Sequence, residues 1–445
     1  MSKLLIKNGI VVTLGENNQI IPNGYVLIKD NIIENYGKGL PVENLSSDTE
    51  VIDAAGKLIM PGFINQHMHF YSTFARGICP KQPAAANFSE ILERLWWPLD
   101  TALNKDDIYY STIVPAINGI KKGVTTFFDH HERQGFQNGS LNIIEKALRE
   151  TGVRGNLALG SSDRYNRGKE GLDENIRFVN KIQKLNNTDD ELITSMFGFH
   201  AMFTVNDHTL YSSAEAAKSL NSGFHVHVAE GSIDNKINLQ KYNKTAIQRL
   251  HDSGCLGTKT TAIHCIYLSE NEMELIKDTS TSIVHVPQSN MNNAVGVAPV
   301  LDMMNKGITV GLGTDGMSPG VLDDVRVANI LHKLHNKDPR VFFVESCKLL
   351  LENNSKIASK QFSKQIGVLS KGSFADIIVV DYDPPTPFNE NTFLGHFLFG
   401  ICEAKVDSTI INGKVLMKNG HLLQIDEAAV NAKSREQAAD FWKRF

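Results

Sequence analysis

Apolar and polar positions follow two different rhythms along the chain. In residues 1–60 the runs are short, LLIKNG, IVVTLG, GYVLIKDNIIENYG and VIDAAGKLIM, and Asn-Gly or Asp-Asn turn signals separate them. These predict a small all-β element. From 61 to 366 unbroken apolar runs (VTTFFD, GNLALG, SMFGFHAMF, GFHVHVAE, TAIHCIYL, TSIVHVP, ITVGLGTD) alternate with charged stretches such as LNIIEKALRETG and KTAIQRLHDSG. Such runs suit strands buried on both faces of a parallel sheet, and the repeated strand–helix rhythm predicts an α/β fold, a (β/α)8 TIM-type barrel. In residues 367–425 the β texture returns with FADIIVVDYD and STIINGKVLMKNGHLL. Neither terminal segment is long enough to bury a core alone, so the two are expected to form one small β-sandwich split by the barrel. Residues 426–445 read as a C-terminal helix.

Composition narrows the class. The chain has 445 residues, 42% of them hydrophobic, and a formal net charge of −4 without a Lys/Arg cluster, so nucleic acid is not an expected partner. Cys79, Cys255, Cys265, Cys347 and Cys402 are odd in number and never form CxxC, which points to a reducing compartment. No run approaches the ~18 uncharged apolar residues of a membrane span, and MSKLLIKNGIVVTLG lacks a signal-peptide pattern. A cytoplasmic location with no membrane partner is expected.

The chemistry concentrates at predicted strand ends. In PGFINQHMH, His67 and His69 stand two apart, so both imidazoles point to one face of a strand. A second HxH in GFHVHVAEG supplies His225 and His227, followed by Glu230; AIHC carries His264 and VGLGTDG ends on Asp315. Each alone is more often a hydrogen-bonded core residue than a ligand. Their joint position at the C-terminal ends of barrel strands, where barrel active sites are built, is what points to a site. His67, His69, one histidine of the second HxH, and Asp315 would give an N3O set that leaves one position open for water and suits zinc or iron. Such a metal lowers the pKa of its water toward neutrality. Asp315 could then take the water's proton, Glu230 act as general acid/base, and His264 polarise the group that gains charge. Arg76 in TFARG and Arg164 in SSDRYNR are candidates to hold an anionic or keto-bearing substrate. Trp96 and Trp97 read as packing residues, and His130 and His131 as loop residues beside the site.

Taken together, VIDAAGKLIMPGFINQHMH, HVHVAE, AIHC, GLGTDG and GVLSKGSFADIIVVD resemble the amidohydrolase superfamily over nearly the whole chain, in its deaminase and chlorohydrolase branch, with the SsnA group of aminohydrolases as the nearest likeness. The resemblance implies that His67, His69, His227 and Asp315 are the metal ligands, because members place the glutamate three residues after the ligand; His225 then stands beside or behind the site. It implies Glu230 as proton shuttle, His264 as the sixth-strand histidine, His200 as a substrate-facing group, and HVPQSNMN, with His285, Ser289 and Asn290, as the seventh-strand motif. No lysine lies in SMFGFHAMFTV, so the resemblance implies one divalent ion per chain, zinc before iron, and an assembly of two or more copies.

The expected activity is metal-dependent hydrolysis of a carbon–nitrogen bond in a small heterocycle, foremost the deamination of an aminopurine or related ring with release of ammonia. Ring opening of a cyclic amide or amidine uses the same machinery, and triazine dechlorination is a more distant use. A scaffold protein that has lost activity is the reading from a different class. It is disfavoured because every ligand position is filled.

Overall fold

The computed structural model describes residues 2–42, 45–186 and 191–445. Eight parallel strands follow one another in space in chain order: β1 (Phe63–Met68), β2 (Val124–His131), β3 (Arg154–Ser161), β4 (Phe197–Ala201), β5 (Phe224–Val228), β6 (Thr261–His264), β7 (Ser282–His285) and β8 (Val310–Leu312). Every residue of β1, β2, β3 and β5 is buried, as both-face coverage demands. Ile193–Ser195 adds a short strand on β3.

Closure occurs just past the last strand, where Met68 bridges Asp315 in parallel and the amides of Thr314 and Asp315 donate to the His67 carbonyl. Gly313 permits this approach. A Cβ there would lie 2.8 Å from both the His67 amide nitrogen and its Cβ.

Between strands run helices whose starts are written locally. Asn104, Thr245 and Ser269 each close a reciprocal capping box. Lys105–Lys121 and Ser140–Thr151 pack side by side outside β2 and β3, and the second of these ends on Gly152 at φ 75°, the left-handed cap that glycine suits.

Both terminal segments contribute to one nine-stranded sheet. Its path joins Leu58–Pro61, leading into the barrel, antiparallel to Ile377–Asp381, leading out of it, with Met60 opposite Ile378. Ile6, Val26, Ile59, Ile377, Val379 and Ile410 fill a separate core on this sheet. The β reading of 367–425 omitted one element: Phe393–Phe399 is a short helix that buries Phe393, Phe397 and Leu398.

A buried ion pair ties the sheet to the barrel. Arg154, at the start of β3 and fully buried, meets Asp376 through Nε at 2.6 Å and Nη2 at 3.1 Å, while Nη2 also donates to Asn412. The last helix, Glu427–Arg444, packs on Lys105–Lys121 and buries Phe441 against Phe74, just after the first histidine pair. All five cysteines are free thiols, and among the described residues no helix is long and apolar enough to cross a membrane.

Candidate metal centre and catalytic cleft

His67 is the fifth residue of β1, and His69 follows the strand as the residue before a short 3-10 turn, Phe70–Ala75. Both rings reach Asp315, with Nε2 to Oδ1 distances of 3.6 Å for His67 and 3.0 Å for His69. From β5, His227 brings its Nε2 to 3.2 Å from His69 Nε2. One donor atom each from His67, His69, His227 and Asp315 lies within 4.8 Å of all the others.

The opposite ring nitrogens are occupied. His69 Nδ1 and His227 Nδ1 each lie 2.5 Å from a carbonyl, that of His130 and that of His200, and His67 Nδ1 lies 2.8 Å from His225 Nε2. A neutral imidazole that donates from Nδ1 leaves a lone pair on Nε2, so these contacts aim three lone pairs at one point. The buried His67 Nε2 has no hydrogen-bond partner of its own. A divalent cation satisfies that orphan and the converging donors; the four residues fit a metal.

Charge is already arranged for it. Burial opposes the Asp315 carboxylate, yet the nearby rings of His67 and His69 outweigh it and hold the carboxyl well below the usual range. Burial likewise opposes a charged His69, but Asp315 and the His130 carbonyl lift its imidazole to about 9. Burial keeps His67 neutral, with a value of about 3.

A second cluster flanks the first. Glu230, two residues past β5, lies 3.3 Å from His264 Nε2 through Oε2 and accepts from Asn293 Nδ2 at 3.2 Å through Oε1. His264 Nδ1 is 2.9 Å from Asn290 Oδ1, and the Ser289 hydroxyl donates to Asp315 Oδ2. Burial raises Glu230 to about 7, opposed by His264 and reinforced by Asp315. Ala229, His264 and Asp315 all sit at positive φ, 48°, 69° and 55°. Left-handed backbone at non-glycine residues costs energy and gathers at functional sites.

Above both clusters opens a cleft of about 740 Å³ counted to its mouth. Apolar side chains of Phe88, Leu92, Trp96, Phe203 and Met317 line it, with His200 and Glu132 among its polar groups.

The profile of the Amidohydrolase family matches residues 58–416. The chain belongs to the amidohydrolase family. It is 33% identical to the 5-methylthioadenosine/S-adenosylhomocysteine deaminase of Halothermothrix orenii, covering 98% of this chain and 99% of the relative. It is 32% identical to the 5'-deoxyadenosine deaminase of Methanosarcina acetivorans, covering 100% and 99%. Among solved structures, a zinc-bound adenosine deaminase from Xanthomonas campestris superposes with a TM-score of 0.84 at 21% identity, covering 100% of this chain and 99% of that one. A zinc complex of an atrazine chlorohydrolase from Arthrobacter aurescens superposes with a TM-score of 0.83 at 19% identity, covering 98% and 100%. This amidohydrolase is a hydrolase of carbon–nitrogen bonds other than peptide bonds, acting with water on a small molecule; its family is metal-dependent.

Within this amidohydrolase the expected residues fall in three places. His67, His69, His227, Asp315, Glu230 and His264 come together, and His200 lines the same cleft. Asn290 stands behind His264, and His285 is buried away from the cleft with its Nε2 3.2 Å from His332 Nε2. The two arginines lie elsewhere. Arg76 is exposed and outside the cleft lining, and Arg164 is engaged by Asp100 at 3.0 Å and Glu132 at 3.4 Å. Trp96, read from sequence as packing, forms part of the cleft wall, whereas Trp97 lies under the Arg164 guanidinium. Sequence reasoning missed Glu132 and Asn293. Asn293 had a usable signal, lying one turn beyond Ser289 and Asn290.

Proposed function

We propose that this amidohydrolase is a mononuclear zinc deaminase, which replaces the exocyclic amino group of an aminopurine or related amino-heterocycle with oxygen and releases ammonia. The carrying observation is Glu230: one carboxylate in the cleft wall, held between Asn293 and His264, in the same cluster as Asp315. Deamination requires a group that collects a proton from water and delivers it to the ring nitrogen, and a carboxyl near 7 does both at neutral pH. The names of the relatives, deaminases of adenosine derivatives, support the same reading. Zinc is supported by the N3O donor set and by the zinc in the two structural neighbours.

His67, His69, His227 and Asp315 would hold the ion, which when bound supplies Lewis acidity and a water ionised near neutrality. Asp315, kept ionised and bonded by Ser289, would accept a proton from the water that adds to the amino-bearing carbon. Glu230 would carry one proton of the water to the ring nitrogen next to that carbon, and the other, collected by Asp315, would pass to the departing amine. His264, fixed through Nδ1 by Asn290, presents Nε2 beside Glu230 and Asp315, where charge develops. His200 contacts the substrate from the cleft wall.

The test is ammonia release by the metal-analysed protein from aminopurines, aminopyrimidines and pterins, with product masses followed in parallel. Glu230→Gln is expected to keep its metal and lose turnover by about 10²–10⁴-fold. A Glu230→Gln variant with full turnover, or a product one water heavier without ammonia, overturns the assignment.

A further inference from the structure

Three of the groups assigned to the chemistry are held by one short helix, Pro287–Asn292, just after β7. Ser289 donates to Asp315 Oδ2, Asn290 Oδ1 lies 2.9 Å from His264 Nδ1, and Asn293, the C-cap, donates to Glu230 Oε1 at 3.2 Å. Helices below about 12 residues are marginal on their own, so a helix this short takes its place from its surroundings. Its start has no local support either. Val286 stands at the N-cap, where a Ser, Thr, Asn or Asp side chain would cap it, and Pro287 has no N–H to offer, so the Gln288 amide is the first orphan donor.

Asp324 supplies what is missing from the first turn of the helix Leu322–Asn336. It is fully buried and meets Gln288 twice: Oδ1 takes the backbone N–H at 3.3 Å, and Oδ2 lies 2.8 Å from the side-chain Nε2. The neighbours Gln288 and Ser289 are thus fastened to Asp324 and Asp315, the two ends of one stretch of chain. Neither Gln288 nor Asp324 lines the cleft.

We infer that Asp324, acting through Gln288, is a positioning residue: it seats the short helix so that Ser289, Asn290 and Asn293 reach Asp315, His264 and Glu230 together. This rests on the deaminase reading for what those three groups do, whereas the seating itself is read from structure. No metal donor lies on the helix, so its displacement should lower turnover without emptying the centre.

The experiment compares crystal structures of the zinc-loaded wild type, Asp324→Ala and Asp324→Asn, with kcat and KM for ammonia release from the aminopurine that the wild type turns over fastest. Asp324→Ala should move Ser289 and Asn293 by about 1 Å and lower kcat by about 10- to 100-fold, with KM within about threefold and zinc content unchanged. Asp324→Asn can still accept the Gln288 amide and pair with its side chain, and should stay within about threefold of wild type. Asn293→Ala should cost less in the Asp324→Ala background than in the wild type, because the contact it deletes is already displaced. An unmoved helix, or losses that simply multiply, overturns the inference. Should Asp324→Ala fail to fold, Gln288→Ala removes the side-chain half of the anchor, and a Gln288→Ala enzyme identical to wild type in structure and kcat overturns it equally. A displaced helix in a protein whose wild type releases no ammonia would overturn the deaminase reading while leaving the anchor standing.

Discussion

Replacing His225 and His227 one at a time separates a metal ligand from the group behind it. His225 contributes no atom to the four-donor cluster; it accepts from His67 Nδ1 at 2.8 Å, and its own Nδ1 has no partner. Outer groups of this kind are worth about 10–100-fold in metal affinity, or about 1.4–2.7 kcal/mol. His227 is one of four donors. Dividing the ~10–16 kcal/mol of a full protein zinc site by four gives roughly 2.5–4 kcal/mol, a loss of about 70- to 850-fold. His225→Ala should therefore bind zinc moderately more weakly and His227→Ala far more weakly. The assay is competition of each apo-protein with a zinc-responsive chelating dye, after melting curves show that both variants are folded. Equal losses, or a larger loss in His225→Ala, would refute the reasoning, because the strand would then present the wrong histidine.

Zinc affinity should rise about tenfold per pH unit through neutrality and level off near pH 9, since the proton held by metal-free His69 below about 9 must leave as the ion binds, whereas His67 has already lost its own. Chelator competition at pH 6, 7 and 8 checks this, and a flat profile contradicts it. Arg154→Met should destabilise the fold by about 3–5 kcal/mol in urea unfolding by stranding the buried Asp376, and adding Asp376→Asn should recover part of the loss. Additive losses in the double variant would show that the pair is not coupled. Burial raises Asp324 to about 8 against the bonds from Gln288, so the folded chain keeps a proton that the unfolded chain releases near 3.8. Wild-type stability should fall with rising pH across that window, and Asp324→Asn should remove the slope; parallel profiles for the two proteins would count against it.

The barrel was legible because strands buried on both faces write themselves as unbroken apolar runs, and VTTFFDHH and GFHVHV are buried throughout. That His67, His69 and Asp315 converge was legible for a related reason: a strand end is a fixed position, so a histidine or aspartate there has one place to point. The HVH pair resisted because both residues share a face and differ only in depth. Two residues along a strand separate them by about 6.6 Å, which places one ring in the mouth and the other beneath it. Arg164 and Glu132 were opaque for another reason. A charge seen alone reads as free to meet substrate, whereas the partners of Arg164 are Asp100 and Glu132, brought to it from distant parts of the chain. Nor does periodicity speak for loops, and Trp96 and Asn293 reach the cleft from outside the strands.

The seam of the barrel has a consequence for durability. Two of the four candidate donors leave the first strand and a third follows the last, at the place where Met68 and Asp315 close the cylinder. An ion seated there acts as a clasp, and the cylinder cannot part along that line without surrendering it. Loading should therefore lengthen the lifetime of the folded chain as well as enable turnover, so that a stripped enzyme loses shape faster than a loaded one at the same temperature.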